Sequence, residues 1–166
     1  MRQPLYLQEK IAIFVSFLFA LILMIIPIPH VLQWFWPEWL TLFVIFWVVR
    51  VPQGVGITVA WLVGLAMDIT GGGLLGQHAL SMSVVAFLAN LLRSRIKLFP
   101  FWQQALGVLV IVGFGQLILL AEQCLLGNPP HSLLYWSSCL TSVIIWPAVY
   151  LMLNFYKNHF VRLTGR

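Results

Sequence analysis

The chain has little charge. Of its 166 residues nine are Lys or Arg and four are Asp or Glu, 8% in all, where a soluble domain carries roughly 25%. So few charges cannot coat a water-facing surface. With 61% hydrophobic residues and a mean hydropathy of +0.98, the chain reads as an all-α integral membrane protein with no soluble domain of useful size left over. Acids are scarcest: Glu9, Glu38, Asp68 and Glu122. A single aspartate excludes a paired-aspartate membrane protease. Cysteine is nearly absent too. Cys124 and Cys139 have no metal-ligand spacing and no disulfide framework, so they read as small buried hydrophobes, with an outer-face bridge between them as the alternative. The run Gly71-Gly72-Gly73 lacks the Lys-Ser/Thr of a phosphate-binding loop. Nothing calls for a cofactor or a metal. The first apolar run ends at Pro27-Ile28-Pro29-His30 without a small-x-small cleavage site, which reads as a retained helix and not a signal peptide.

What is present is apolar sequence in long runs. A spanning helix needs about 20 residues, and six candidates emerge: Ile11–Ile28, Trp36–Val49, Val55–Thr70, Leu74–Leu92, Phe101–Leu126 and Leu133–Tyr156. Pro52, the glycine run, Pro100 and Gly127-Asn128-Pro129-Pro130 separate them. The basic residues follow that count. Arg2 and Lys10 precede the first span, Arg50 follows the second, Arg93, Arg95 and Lys97 follow the fourth, and Lys157, Arg162 and Arg166 follow the sixth. All nine therefore fall on one side, which the positive-inside rule makes cytoplasmic, with both termini. The net charge of +5 is thus a topology signal and not a nucleic-acid face. Arg93, Arg95 and Lys97 also form a cytoplasmic basic segment able to meet partners or anionic lipid. Trp34, Trp36, Trp39, Tyr135 and Trp136 read as interfacial anchors at the outer face, and Phe99, Phe101 and Trp102 at the inner. Pro147 is expected to kink the sixth span.

Three acids stand towards the outer side, Glu38, Asp68 and Glu122, with His78 among them. A carboxylate at a helix centre costs about 2.5–3.5 kcal/mol on insertion scales, so Asp68, inside an apolar run, needs compensation. Two readings are open. In one, these groups are hydrated at the interface, above all Glu38 and Glu122. In the other, Asp68 and His78 face the bundle interior and, with Glu122, hydrogen-bond across helices or meet a partner or ligand. Gly56, Ala60, Gly64, Asp68 and Gly72 recur every four residues, which puts them on one ridge of the small-residue kind that permits close helix packing in membranes.

The run Gly64-x-x-x-Asp68-x-x-x-Gly72-x-x-Leu75-Gly76-x-x-x-Leu80 resembles the signature of the rod shape-determining protein MreD family. Pro37-x-Trp39, Phe101-Trp102-Gln103-Gln104-Ala105-Leu106 and Trp136-Ser137-Ser138…Trp146-Pro147 are similar to its proteobacterial branch. The resemblance implies a non-enzymatic scaffold or regulator of lateral peptidoglycan synthesis in the inner membrane. Its implied partners are MreC, MreB, RodZ, RodA and the partner transpeptidase of RodA. It also implies a six-helix bundle resembling the membrane substrate-binding subunit of energy-coupling-factor transporters. That likeness sets the alternative, a small-solute-binding subunit of a vitamin-type transporter.

Overall fold

A computed structural model describes residues 7–26, 29, 35–71, 74–127 and 133–164. Among them there are six α-helices and no strand: α1 Leu7–Ile25, α2 Trp39–Arg50, α3 Ile57–Gly71, α4 Gln77–Leu98, α5 Phe101–Leu125 and α6 Ser137–Thr164. A 3-10 turn, Leu133–Trp136, leads into α6. Four helices are long and apolar enough to cross a bilayer: α1, α4, α5 and α6. The chain is accordingly a multi-pass membrane protein.

The other two are short. The 12 residues of α2 reach about 18 Å at 1.5 Å per residue, against about 30 Å of hydrocarbon. Its surroundings explain how so short a helix is tolerated. Every side chain from Leu40 to Val49 is buried, as expected of a helix apolar all round. α2 packs on α4, α1 and α6 and grazes α5. Non-helical backbone at membrane depth survives only when protein satisfies it, and both ends of α2 are satisfied in that way. At the start, the Glu38 amide donates to Ser142 Oγ on α6 at 2.9 Å. At the end, Arg93 Nε on α4 donates to the Val49 carbonyl at 3.1 Å, a cation placed at the negative pole of the helix.

The remaining helices follow one another round α2. α3 lies along α4, α4 along α5, α5 along α6, and α6 returns to α1, whereas α1 and α3 barely meet. Small residues set the closest approaches. A Cβ on Gly115 of α5 would stand 2.9 Å from Val85 Cγ2 of α4, and Ser81 Oγ donates to the Gly115 carbonyl at 2.9 Å. α1 is tied to α2 by Trp47 Nε1 donating to Ser16 Oγ at 2.8 Å.

Several expectations need adjusting. α4 runs on to Leu98, so Arg93, Arg95 and Lys97 sit on its last turns and not in a loop, because no breaker intervenes before Pro100. Cys139 is buried but Cys124 is exposed, and both are free. Pro147 lies inside α6, as the expected kink requires. Trp34, Pro27 and Ile28 lie outside the described residues.

Candidate functional site at the acidic end

The bundle has a basic end and an acidic end. At the first, Lys97 stands within electrostatic reach of Arg50, Arg93 and Lys157. At the other, His78 is within reach of Glu38 and of Glu122 and pairs directly with Asp68.

Asp68 is 2% exposed although it is the chain's only aspartate and lies on an apolar helix. Helix geometry explains its burial. A helix begins with amide donors that lack partners, and α4 begins at Gln77 after Gly76, which cannot cap it with a side chain. Asp68 reaches across from α3 to supply the missing acceptors. Its Oδ2 accepts from the Gly76 amide at 2.8 Å and from Ala79 at 3.4 Å. Its Oδ1 accepts from the His78 amide at 3.0 Å and from His78 Nδ1 at 2.7 Å. A carboxylate at the positive pole of a helix is favourable in addition. Asp68 thus acts as a cap borrowed from the neighbouring helix, and these bonds offset the cost of burying it.

The glycines around it make that reach practicable. Gly76 has φ +109°, a conformation that side-chain-bearing residues rarely adopt. Gly64, one turn before Asp68 on the same face, lies so close to α4 that a Cβ there would stand 2.5 Å from the His78 carbonyl and 2.6 Å from Ala79 Cα. Ala60, a further turn back, is fully buried. The four-residue ridge does not extend to Gly56, which is exposed with open space beside it. The ridge stops there because Gly56 precedes the first residue of α3. Leu75 and Leu80 are 69% and 52% exposed, so these two positions face outward and not into helix packing. Gly72 lies outside the described residues.

Glu38 was not foreseen as an interior residue. It joins three helices. Its Oε2 accepts from Thr41 Oγ1 at 2.8 Å, and its Oε1 accepts from Gln116 Nε2 of α5 at 2.8 Å. Gln116 Nε2 also lies 3.2 Å from Ser138 Oγ of α6, and the Tyr135 hydroxyl donates to the Gln116 carbonyl at 3.3 Å. The hydrated-interface reading therefore fails for Glu38, because protein donors take the place of water. A signal was available. Glu38 precedes a helix with no polar face at all, and an acid there has only interior neighbours. Gln116 and Ser142 complete the network without a sequence signal of their own, and Ser138 carries one only as part of the Trp136-Ser137-Ser138 motif. Glu122 is partly buried, within electrostatic reach of His78 and Asp68, and its Oε2 is enclosed without a hydrogen-bond partner.

No group of three or more His, Cys, Asp or Glu is arranged to hold a metal among the described residues. The cavity beside Glu38, between Trp36, Trp39, Met24 and Met67, is about 170 Å³. All of this points to helix-to-helix joinery at one end of the bundle.

The family model described as rod shape-determining protein MreD matches residues 7–156. The chain belongs to the MreD family. A rod shape-determining protein MreD of Haemophilus influenzae is 27% identical over 155 residues, covering 92% of this chain and 94% of that protein. The MreD assignment carries a role in determining rod cell shape. No solved structure matches the chain, so the likeness to a transporter subunit gains no support from that side. Within the MreD framework, the residues of the Gly64–Leu80 run divide into those that build the α3–α4 joint (Gly64, Asp68, Gly76) and those on its outer surface (Leu75, Leu80).

Proposed function

We propose that the chain is a non-enzymatic scaffold of the inner membrane that supports lateral peptidoglycan synthesis. In this reading it holds MreC directly and, through the complex, works with MreB, RodZ, RodA and the partner transpeptidase of RodA. The observation that carries the reading is the occupancy of Asp68. Both carboxylate oxygens are taken by α4 amides and the His78 ring, so the most conspicuous acid of the membrane segment spends its bonding capacity on architecture and not on a substrate. His78 remains 29% exposed at its side chain. Its outer edge, with Glu122, offers a polar surface on which a partner can rest. The termini are assigned to the cytoplasm from the one-sided distribution of Lys and Arg, which puts the acidic end at the outer face. The connection after Gly127 is short in sequence, so contact with MreC lies within the membrane or just above it.

The small-solute reading is the weaker one. Among the described residues, the cavity beside Glu38, about 170 Å³, falls below the roughly 300–1,000 Å³ usual for small-molecule sites. Affinity purification from native membranes, with partners and bound small molecules identified together, tests the proposal. MreC enriched without a stoichiometric metabolite supports it. A tightly held metabolite together with an ATPase module overturns it.

A further inference from the structure

The circuit of helices round α2 is almost open at one place, between α1 and α3, and a groove of about 460 Å³ lies there. Its walls are apolar, with Phe17 and Leu21 on α1 and Leu62 and Ala66 on α3, while Lys10 and Gln53 stand at one mouth. We infer that this groove binds the acyl chain of an anionic phospholipid of the inner leaflet, with the headgroup phosphate at Lys10.

Depth selects a lipid over a partner helix. The stretch of α1 that lines the groove, Lys10 to Leu21, covers about 16 Å at 1.5 Å per residue. That is half of the roughly 30 Å hydrocarbon core, so the groove is one leaflet deep, starting from the basic end. A spanning helix would need a seat through both leaflets. An acyl chain needs only one. Volume agrees, since the groove falls within the roughly 300–1,000 Å³ range of ligand sites.

Charge selects the headgroup. Lys10 is exposed at the mouth and has no ion pair among the described residues. Its acidic neighbour Glu9 is in electrostatic reach of Lys157 on α6, and the rest of that end is basic. A phosphate is thus drawn to the mouth, and a headgroup with net negative charge gains over a zwitterionic one. A basic residue at a membrane surface is worth about a five-fold preference for anionic lipid.

The full chain in nanodiscs containing diazirine-acyl phosphatidylglycerol or phosphatidylethanolamine tests this, with cross-linked residues mapped by mass spectrometry. We expect adducts concentrated on the α1 and α3 groove walls, with phosphatidylglycerol favoured by about five-fold. Lys10→Glu, at an exposed position that leaves the packing untouched, abolishes that preference. Ala66→Phe fills the groove and removes its adducts while those on Phe114, exposed on α5, persist. Adducts as frequent on Phe114 as in the groove overturn the inference, as does an unchanged headgroup preference in Lys10→Glu. A groove shielded by another protein's helix in native membranes, with no lipid adduct there, also overturns it. None of these outcomes depends on rod-shape activity, so this inference and the scaffold reading fail separately.

Discussion

At the level of single residues, Asp68 and Glu38 spend their bonds inside the bundle. Asp68→Ala leaves the amides of Gly76, His78 and Ala79 without their acceptor. A lost charge-assisted bond and buried unsatisfied donors each cost on the order of 1–3 kcal/mol. We expect thermal unfolding in detergent to show a loss of about 2–3 kcal/mol, with Asp68→Asn intermediate because an amide oxygen can still accept. Gly64→Ala drives a Cβ onto backbone of α4, at 2.5 Å from the His78 carbonyl, and overpacking of that kind costs about 1–3 kcal/mol. Gly56→Ala, in open space, is expected to change stability by no more than about 0.5 kcal/mol. This pair separates a packing glycine from one that merely shares its spacing. The same measurement applies to Glu38→Ala, which strips the acceptor from Thr41 and Gln116 and is expected to cost about 1–3 kcal/mol.

At the scale of the element, α2 is the case that sequence pattern handles least well. Hydropathy finds the apolar run and places a helix there, but periodicity is silent on what surrounds a helix that is apolar on every side. That α2 is central, short and fastened at both ends by side chains of α4 and α6 depends on contacts distant in sequence: Arg93 to Val49 and Ser142 to Glu38. The start of α5 at Pro100, by contrast, is local, and proline announces it, whereas α4 starts at Gln77 and not at Leu74 directly after the glycine run. Four-residue spacing likewise places Ala60, Gly64 and Asp68 on one face, but it cannot tell where α3 itself begins, so Gly56, which precedes its first residue, looked equivalent and was not. Asp68 stood out as a costly acid; its role as a cap for α4 needed the approach of two helices. The fastening of α2 is testable. Arg93→Ala removes the cation from the Val49 carbonyl and is expected to lower stability by about 1.5 kcal/mol, whereas Arg95→Ala and Lys97→Ala, at exposed positions, stay within about 0.5 kcal/mol.

At the scale of the whole molecule, charge is sorted by end. Lys97, Arg50, Arg93 and Lys157 gather at one pole, while Asp68, His78, Glu38 and Glu122 gather at the other. This polarity agrees with the spacing of basic residues along the chain, and the proposed orientation, with both termini in the cytoplasm, is open to direct test. With single cysteines at positions 95 and 97 in an otherwise cysteine-free chain, a membrane-impermeant reagent should label neither from outside intact cells. Labelling there would reverse the assignment. In the scaffold reading we propose, the α3–α4 joint made by Asp68 is what the rod-shape system requires of this chain. The most direct measurement pairs rod-shape rescue with MreC co-purification, in a strain depleted of its own MreD and supplied with wild type, Asp68→Asn or Asp68→Ala at matched membrane levels. We expect rods and bound MreC with wild type, partial recovery with Asp68→Asn, and round cells with MreC lost in Asp68→Ala. Rod-shaped cells that retain MreC with Asp68→Ala at the wild-type level would contradict it.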